Sequence, residues 1–339
     1  MTITNSDQVN VGIDVSKLKL DVALLVQGKV KNKVVENRPA GYQQLHDWLL
    51  RHKVAPIGLA VCMESTGPYS EPAALALIDM GMVVSIVNPA RVKGFAQSQL
   101  VRNKNDRVDA ALLARFGALM QPEPWIAPPA HYRQLRAWVD RLNALKDIRQ
   151  QETNRLETHD LAKQDALQQN VQEHIDWLDA QIKRLEEEID DHIDRHPDLA
   201  KDAQLMSSIP GLGRVTIAKV MAYAGDVRRF SSAKALAAFA GLTPKQRQSG
   251  TSVSGRTIIS RAGHKSLRTA LYMPGLVARR HNKALAAFGD RMAVRGMAKK
   301  AIIGAIMRKL IHLIYGVITS GKEFDATLAT PRLDIQDGI

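Results

Sequence analysis

Residues 9–25 read VNVGIDVSKLKLDVALL and contain two short apolar runs. The runs Val9–Val15 and Leu18–Leu25 flank a small polar turn around Ser16, a pattern typical of a β-hairpin. Asp14 lies inside the first run, where a charge is costly unless a partner or a metal balances it. The sequence therefore predicts a strand pair that holds a carboxylate in need of a partner.

The next hundred residues alternate between strand and helix patterns. Lys29–Val35 is a third strand candidate, and Tyr42–Leu50 has helical spacing. The segments that follow are a strand at Ile57–Met63, a helix at Glu71–Met80, a strand at Met82–Val87, and helices beginning at Ala90 and Asp106. This order predicts a mixed α/β domain over residues 1–128.

The rest of the chain is predicted to be mostly helical. Apolar residues recur every three or four positions in residues 132–194, within a highly charged background. We expect a helical hairpin or coiled-coil arm over residues 129–199, and such arms usually separate domains or join subunits. Residues 200–325 form the third predicted domain, and residues 326–339 form a tail. The fold class expected for the whole chain is α/β plus all-α.

The positive charge is concentrated in one third of the chain. The whole protein carries a net charge of +13, with 47 Lys and Arg against 34 Asp and Glu. Residues 205–322 contain 21 Lys and Arg but two acidic residues, a local charge of +19, so the remainder is acidic. A basic surface of this size is typical of proteins that bind nucleic-acid phosphates. A merely soluble surface would intersperse both signs of charge.

Cysteine content and hydropathy exclude other classes of protein. Cys62 is the only cysteine, so an intramolecular disulfide and a Cys-rich zinc site are excluded. Residues 1–10 lack the pattern of a signal peptide, and charged residues interrupt the apolar stretches 73–87 and 301–319. We expect a protein of the reducing cytoplasm, with no membrane partner.

Four carboxylates should converge if the first and fourth strands are neighbours. Asp14 lies in the first strand and Glu64 ends the fourth. Asp106 and Asp109 share one face of a helix, where two like charges are unfavourable unless a cation lies between them. Oxygen ligands of this kind select Mg²⁺ or Mn²⁺. Local alternatives exist, since Asp14 fits a turn, Glu64 fits a loop cap, and Asp106 with Asn105 fits a helix N-cap.

Two motifs in the basic region are candidates for contact with nucleic acid. In residues 208–213, SIPGLG, the backbone at Gly211 and Gly213 could approach a phosphate, although a plain turn fits as well. The second motif, GLTPKQRQSG at 241–250, places a serine among cations, the groups that phosphoryl attack requires. A flexible phosphate-binding loop fits these residues equally well. The candidate ligands are Lys245, Arg247, Arg256, Arg261, His264, Lys265 and Arg268.

Three short motifs resemble those of the DEDD insertion-sequence transposases, the family that includes the Piv DNA invertase. They are Val11–Lys17, Glu64–Gly67 and Asn105–Ala110, and the C-terminal third is similar as well. The resemblance implies a RuvC-like N-terminal domain with a ribonuclease H fold. It also implies a nucleophilic serine where Ser-Gly follows Gly-Leu-x-Pro, which is Ser249 here, although Ser252 and Ser254 lie close by. The implied metal-binding and catalytic acids are Asp14, Glu64, Asp106 and Asp109.

The function that the resemblance implies is site-specific DNA recombination that moves an insertion sequence. Ser249 would form a phosphoserine linkage to DNA, and the partners would be donor and target DNA. Some members of the family use a structured bridge RNA, and a dimer or tetramer is implied. Two alternatives are a metal-dependent nuclease or junction resolvase in which water attacks, and a nucleic-acid-binding scaffold in which the acids are merely structural.

Overall fold

The chain divides into two compact units, residues 1–127 and 128–339. The structure is a computed structural model that describes residues 9–65, 67–100, 105–249 and 253–327, with the backbone alone for 246–249 and 253–257. Each unit has a hydrophobic core of its own. The finer division of the C-terminal part at residue 199 stays a prediction, as does the separate tail at 326–339.

The N-terminal unit is built on a five-stranded mixed sheet. Its strands are β1 (Asn10–Val15), β2 (Lys19–Val26), β3 (Lys29–Glu36), β4 (Ala60–Glu64) and β5 (Val83–Val87). They lie in the order β3-β2-β1-β4-β5, with β1 parallel to β4 and antiparallel to β2. The predicted mixed α/β fold is confirmed, and the first and fourth strands are neighbours, the condition on which convergence of the carboxylates depends.

Helices cover both faces of this sheet. They are α1 (Pro39–Arg51), α2 (Ser70–Asp79), α3 (Pro89–Ser98) and α4 (Asp106–Met120). Val11, Ile13 and Val15 on one face of β1 share a core with residues of α1 and α2, while Gly12 on the other face meets α4. Strand β4 begins later than the predicted Ile57, because residues 56–59 form a turn that contains Gly58 at φ +76°.

Gly12 sets the distance between β1 and α4. A Cβ atom at this position would overlap the carbonyl oxygen of Ala110 and the amide nitrogen of Ala114, and would lie 2.8 Å from the carbonyl carbon of Leu113. Ala23 of β2 extends the same small-residue contact to Ala110 and Ala114. The helix backbone therefore lies directly on the sheet, with the first turn of α4 near the carboxyl end of β1.

The C-terminal unit begins with two long helices, α5 (Ala130–Leu161) and α6 (Asp165–Arg195), which pack along one another. Leu135 and Leu142 of α5 and Leu178 and Ile182 of α6 are buried in the shared core. Lys146 Nζ of α5 also pairs with Glu186 Oε1 of α6 at 2.6 Å. The predicted helical hairpin is present, whereas its coiled-coil character stays a prediction.

The remaining elements are mostly helical, with one strand pair. The helices are α7 (Pro197–Ser207), α8 (Arg214–Ala224), α9 (Ala233–Phe239), α10 (Lys265–Ala270), α11 (Tyr272–His281), α12 (Lys283–Val294) and α13 (Lys299–Ser320). Within the described parts of the chain, α13 is the one helix long and apolar enough to cross a membrane, but 61% of its most apolar window is buried inside the protein. It is the central core helix of this unit.

The strand pair corrects the loop that the sequence suggested around the candidate serines. Strands β6 (Pro244–Ser249) and β7 (Val253–Ile259) pair in antiparallel fashion, and Ser249 is the last residue of β6. The residues of β7 include several β-branched types, which favour an extended backbone over a flexible loop. Ser249 and Ser254 thus belong to paired strands, while Ser252 lies outside the described residues.

Replacing Gly12 by Ala should destabilise the N-terminal unit strongly, by about 3 kcal/mol, since overlap with the backbone of α4 cannot be relieved by a rotamer change. The measurement is the urea midpoint of the full chain, followed by tryptophan fluorescence. Gly94→Ala is the matched control, because Gly94 lies in α3 with open space where a Cβ would be. Alanine should be neutral or stabilising there. A Gly12→Ala protein as stable as the control would show that α4 does not lie this close to β1.

Candidate carboxylate site and basic surface

Asp14 and Asp21 lie opposite one another on β1 and β2. Residues paired in this way point to the same face of a sheet, and side chains alternate along a strand. Asp14 therefore shares the face of Gly12, which α4 covers. Asp21 is 8% exposed and Asp14 is partly buried. Sequence reasoning missed Asp21, although the pairing of the predicted hairpin would have placed it opposite Asp14.

Glu64 reaches the same face from β4. Cys62 is in register with Gly12 of β1 and packs with Leu113 and Phe116 of α4. Since Glu64 follows Cys62 by two residues, it lies on this face at the carboxyl end of β4. The structure thus brings the acids of β1 and β4 to the same end of neighbouring parallel strands.

The first turn of α4 supplies the other two predicted acids. Asn105 caps the helix by accepting a hydrogen bond from the backbone N–H of Val108 at 2.9 Å, which fixes where the helix begins. Asp106 and Asp109 follow in the first turn. The structure therefore contains the N-cap that the sequence suggested for Asp106 with Asn105: Asn105 is the capping residue, and Asp106 is the first residue of the helix.

Burial and neighbouring negative charges together raise the pKa of Asp14 to about 6. Burial is the largest cause, followed by the negative charges of Asp109, Asp106, Asp21 and Glu64 in that order. The other three predicted acids and Asp21 therefore lie within electrostatic reach of Asp14. Carboxylates gathered in this way favour the arrival of a cation.

Lys19 is a cation that lies among these acids. Its Nζ donates a hydrogen bond to Asp106 Oδ2 at 2.8 Å and forms an ion pair with Asp21 Oδ2 at 2.9 Å. The hydrogen bond from Lys19 lowers the pKa of Asp106, and both carboxylates raise the pKa of Lys19. The ammonium group links β2 to the first turn of α4.

The acids of the site provide the type of ligand atom that a hard divalent cation binds. Every acid of the site offers carboxylate oxygens, the ligands that Mg²⁺ and Mn²⁺ prefer. Burial first, and then the neighbouring negative charges, raise the pKa of Asp14. Within the described parts of the chain, no group of three or more His, Cys, Asp or Glu side chains already has the arrangement of a metal site. The acids lie near one another, but their oxygens are not arranged around a single point as metal ligands would be.

Two of the predicted phosphate ligands form hydrogen bonds inside the protein. Arg268 Nη1 donates to the carbonyl oxygens of Ala240 and Arg261, each at 3.2 Å. His264 Nδ1 accepts from the backbone N–H of Leu267 at 3.2 Å and so caps the short helix α10. Burial lowers the pKa of His264 below its usual range, so the ring is neutral near pH 7. Both residues organise the segment that leads into and out of the β6–β7 hairpin.

The two glycines of the 208–213 motif differ in their surroundings. Gly211 has φ +105°, and a Cβ there would lie 2.9 Å from the Cβ of Ala278, so this glycine permits close packing against α11. Gly213 is exposed, with open space where a Cβ would be, and it begins α8. Arg214, the next residue, is held by Asp190 of α6 at 3.0 Å. Of the two glycines, Gly213 has the backbone that a phosphate could approach.

Three of the nominated cations are exposed, namely Lys245, Arg261 and Lys265. Arg261 has a left-handed backbone, with φ +57°, and its carbonyl oxygen is one of the two that Arg268 holds. Arg247 and Arg256 are described by backbone alone, in β6 and β7.

Replacing Asp109 by Asn should lower the pKa of Asp14 below about 6 but not to 3.8, because one negative charge is lost while burial remains. Carboxyl NMR titration of the metal-free protein measures this. The pKa of Asp14 is higher in the folded state than in the unfolded state, so ionising Asp14 reduces the free energy of unfolding as pH rises from 3.8 through about 6. The Asp109→Asn protein should lose less stability over this pH range. Asp79→Asn, at an exposed position of α2, is the control. An unchanged titration of Asp14 in Asp109→Asn would contradict the gathered site.

Two family models match separate parts of the chain. A DEDD transposase model of the IS110 type, described as Transposase, matches residues 11–159. A second, described as Transposase IS116/IS110/IS902 family, matches residues 203–290. The first range contains the carboxylate site, and the second contains α8 through most of α12.

Curated relatives extend the similarity over most of the chain. The pilin gene-inverting protein of Moraxella bovis is 35% identical over 321 residues, covering 93% of this chain and 97% of that protein. The transposase for insertion sequence element IS1111A of Coxiella burnetii is 24% identical over 299 residues, covering 80% and 78% respectively. A solved T. thermophilus RuvC in complex with a Holliday junction substrate matches with a TM-score of 0.27 and 16% identity, covering 35% of this chain and 99% of that one. The sequence similarity shows that this chain belongs to the IS110 family of transposases.

Proposed function

We propose that this transposase is a site-specific recombinase that moves an insertion sequence, with Ser249 as nucleophile and a divalent cation at the carboxylate site. The observation that carries the proposal is the gathering of Asp14, Glu64, Asp106 and Asp109 around one end of the sheet, where burial and the charges of the other acids raise the pKa of Asp14. We propose a RuvC-like ribonuclease H fold for this unit, which the strand order supports.

In the proposed reaction, the hydroxyl oxygen of Ser249 attacks a DNA phosphorus atom. A phosphoserine bond forms as the bond to a deoxyribose oxygen breaks, and that oxygen leaves with a proton. Attack by a second DNA hydroxyl then restores the phosphodiester and releases the serine, so no ATP is needed. Mg²⁺ or Mn²⁺ held by the four acids would position the phosphate and neutralise its charge. Without a cation, the acids would repel the phosphate.

The basic region is the proposed nucleic-acid surface. Exposed Lys245, Arg261 and Lys265 are suited to phosphate contacts, and the local charge of +19 supports binding of a polyanion. This surface lacks an obvious base-reading motif, which favours a division of labour in which a bridge RNA pairs with donor and target DNA. The acids and Ser249 are separated in sequence by the long helical hairpin, so we propose a dimer or tetramer that acts in the cytoplasm.

A resolvase-like nuclease is the second candidate. The gathered acids favour it as much as they favour a recombinase, since a divalent cation at such a site can also activate water. The two mechanisms differ in the product, because water leaves a free phosphate end and serine leaves a protein-linked end.

Ser249→Ala should abolish a covalent protein–DNA adduct that the unaltered protein forms on a nicked substrate, which blocks strand exchange. The adduct is measured by its shift on a denaturing gel after nuclease digestion. Ser254→Ala, in the partner strand β7, is the control and should retain the adduct. Metal binding should survive in both variants, because no carboxylate changes.

Loss of the adduct in Ser254→Ala or Ser252→Ala, with retention in Ser249→Ala, would move the nucleophile. Efficient cleavage with no protein-linked end under any trapping condition would replace the serine mechanism with attack by water.

Lys265→Gln should reduce the dependence of duplex DNA affinity on salt, lowering the slope of log K against log salt by about 1. Arg268→Gln should leave this slope unchanged and lower the thermal midpoint instead, because its guanidinium is bonded to the carbonyls of Ala240 and Arg261. Fluorescence anisotropy at several salt concentrations measures the slope, and calorimetry measures the midpoint. A lower salt slope for Arg268→Gln together with an unchanged slope for Lys265→Gln would show that Arg268, and not Lys265, contacts phosphate.

A further inference from the structure

We propose that Lys19 is a built-in counter-cation of the carboxylate site, which a divalent metal must displace from Asp106. In this proposal Asp21 is the residue that holds Lys19 when it is displaced, and is not a metal ligand. The inference rests on the proposed metal site and adds two positioning residues to it.

The backbone of Lys19 is held in place by the turn between β1 and β2. The backbone N–H and the hydroxyl of Ser16 both donate to the carbonyl oxygen of Lys19, at 3.0 and 2.9 Å. The N–H of Lys19 donates back to Ser16 Oγ at 3.2 Å, and Asn37 Nδ2 donates to the carbonyl oxygen of Ser16 at 2.9 Å. These bonds fix the root of the Lys19 side chain beside the acids.

The ammonium group of Lys19 bridges two carboxylates of different kinds. Asp21 lies on the same strand, and its side chain is 11% exposed, whereas Asp106 lies at the start of α4 with its side chain 56% exposed. Because the contact with Asp21 is within one strand, Lys19 keeps this partner whatever happens at α4. The contact with Asp106 crosses to another element and is the one that a competing cation would break.

Charge decides the outcome of that competition. Lysine carries a single charge on three donors, while a divalent ion carries two charges and binds carboxylate oxygens directly. The acids at the site are Asp14, Asp21, Glu64, Asp106 and Asp109. At Asp106 the competition is between one ammonium charge held by a hydrogen bond and a double charge bound directly. The metal therefore displaces Lys19 from Asp106. Lys19 stays paired with Asp21, and its positive charge nearby weakens metal binding.

The test measures Mn²⁺ affinity by electron paramagnetic resonance and calorimetry on the full-length protein without DNA. Lys19→Gln removes the competing charge, so Mn²⁺ should bind about three- to tenfold more tightly, as expected for a unit charge a few ångströms from a divalent ion in a solvent-exposed setting. Lys19→Arg keeps the charge and should restore the affinity of the unaltered protein. Lys17→Gln, at an exposed position of the same turn, removes an equal charge and should change affinity less than twofold.

Equal or weaker Mn²⁺ binding in Lys19→Gln would overturn the proposal, since it would mean that Lys19 does not compete or that it orients Asp106 as a ligand. An equal gain in Lys17→Gln would also overturn it, because the effect would then be one of general charge. If the unaltered protein binds no Mn²⁺ and Asp14→Asn makes no difference, the metal site itself fails, and the proposed function fails with it. The two failures are therefore distinguishable.

Discussion

Helix α4 can lie directly against β1 because Gly12 has no side chain, and the geometry of the carboxylate site follows from this contact. The helix backbone meets the sheet at Ala110 and Ala114, one and two turns beyond Asp106. The start of the helix is held near the carboxyl ends of β1 and β4, where Asp14 and Glu64 lie. A larger residue would separate the two pairs of acids. Close packing of small residues thus determines an electrostatic property of the protein.

The two units divide the electrostatic tasks of a protein that handles DNA. The N-terminal unit gathers carboxylates, which repel phosphate until a cation is present, and the C-terminal unit carries the excess of lysine and arginine. Long-range attraction acts over about 8 Å at physiological ionic strength, so the basic surface can act on DNA before any contact forms. The gathered acids and the excess of basic residues therefore lie in separate parts of the chain, and the proposed nucleophile Ser249 lies in the basic part.

Most of the N-terminal unit could be predicted from sequence, because apolar alternation and turn residues act locally. The succession of strands along the chain and the helix that begins at Asp106 follow from such patterns. Convergence of the acids was predicted only on the condition that β1 and β4 are neighbours, which the fold supplies. Asp21 was missed although the predicted hairpin places it opposite Asp14. The contact of Lys19 with Asp106 joins residues 87 positions apart, so only the folded chain shows it.

Long-range contacts explain what the sequence did not predict in the C-terminal unit. Arg268 looked like a phosphate ligand because it lies in a basic stretch, but its partners include the carbonyl of Ala240, 28 residues away. Likewise, Arg308 Nη1 donates to the carbonyl of Leu242, 66 residues away, at 3.2 Å. The number of basic residues in a segment overestimates how many of them are available to nucleic acid, because some are used to hold backbone.

The turn from Ser16 to Lys19 has a consequence for how this sequence can vary in length. Side chains alternate between the faces of a strand, so inserting one residue in the turn while the sheet keeps its pairing would exchange the two faces of β2. Lys19 and Asp21 would then point toward α1 and α2, and Leu20 and Val22 toward the acids. The hydrogen bonds of this turn limit which residues can be substituted there. Insertion or deletion of a single residue is limited for another reason, because it would reverse which side chains of β2 face the acids. Natural variation here should therefore alter the identity of residues while conserving their number.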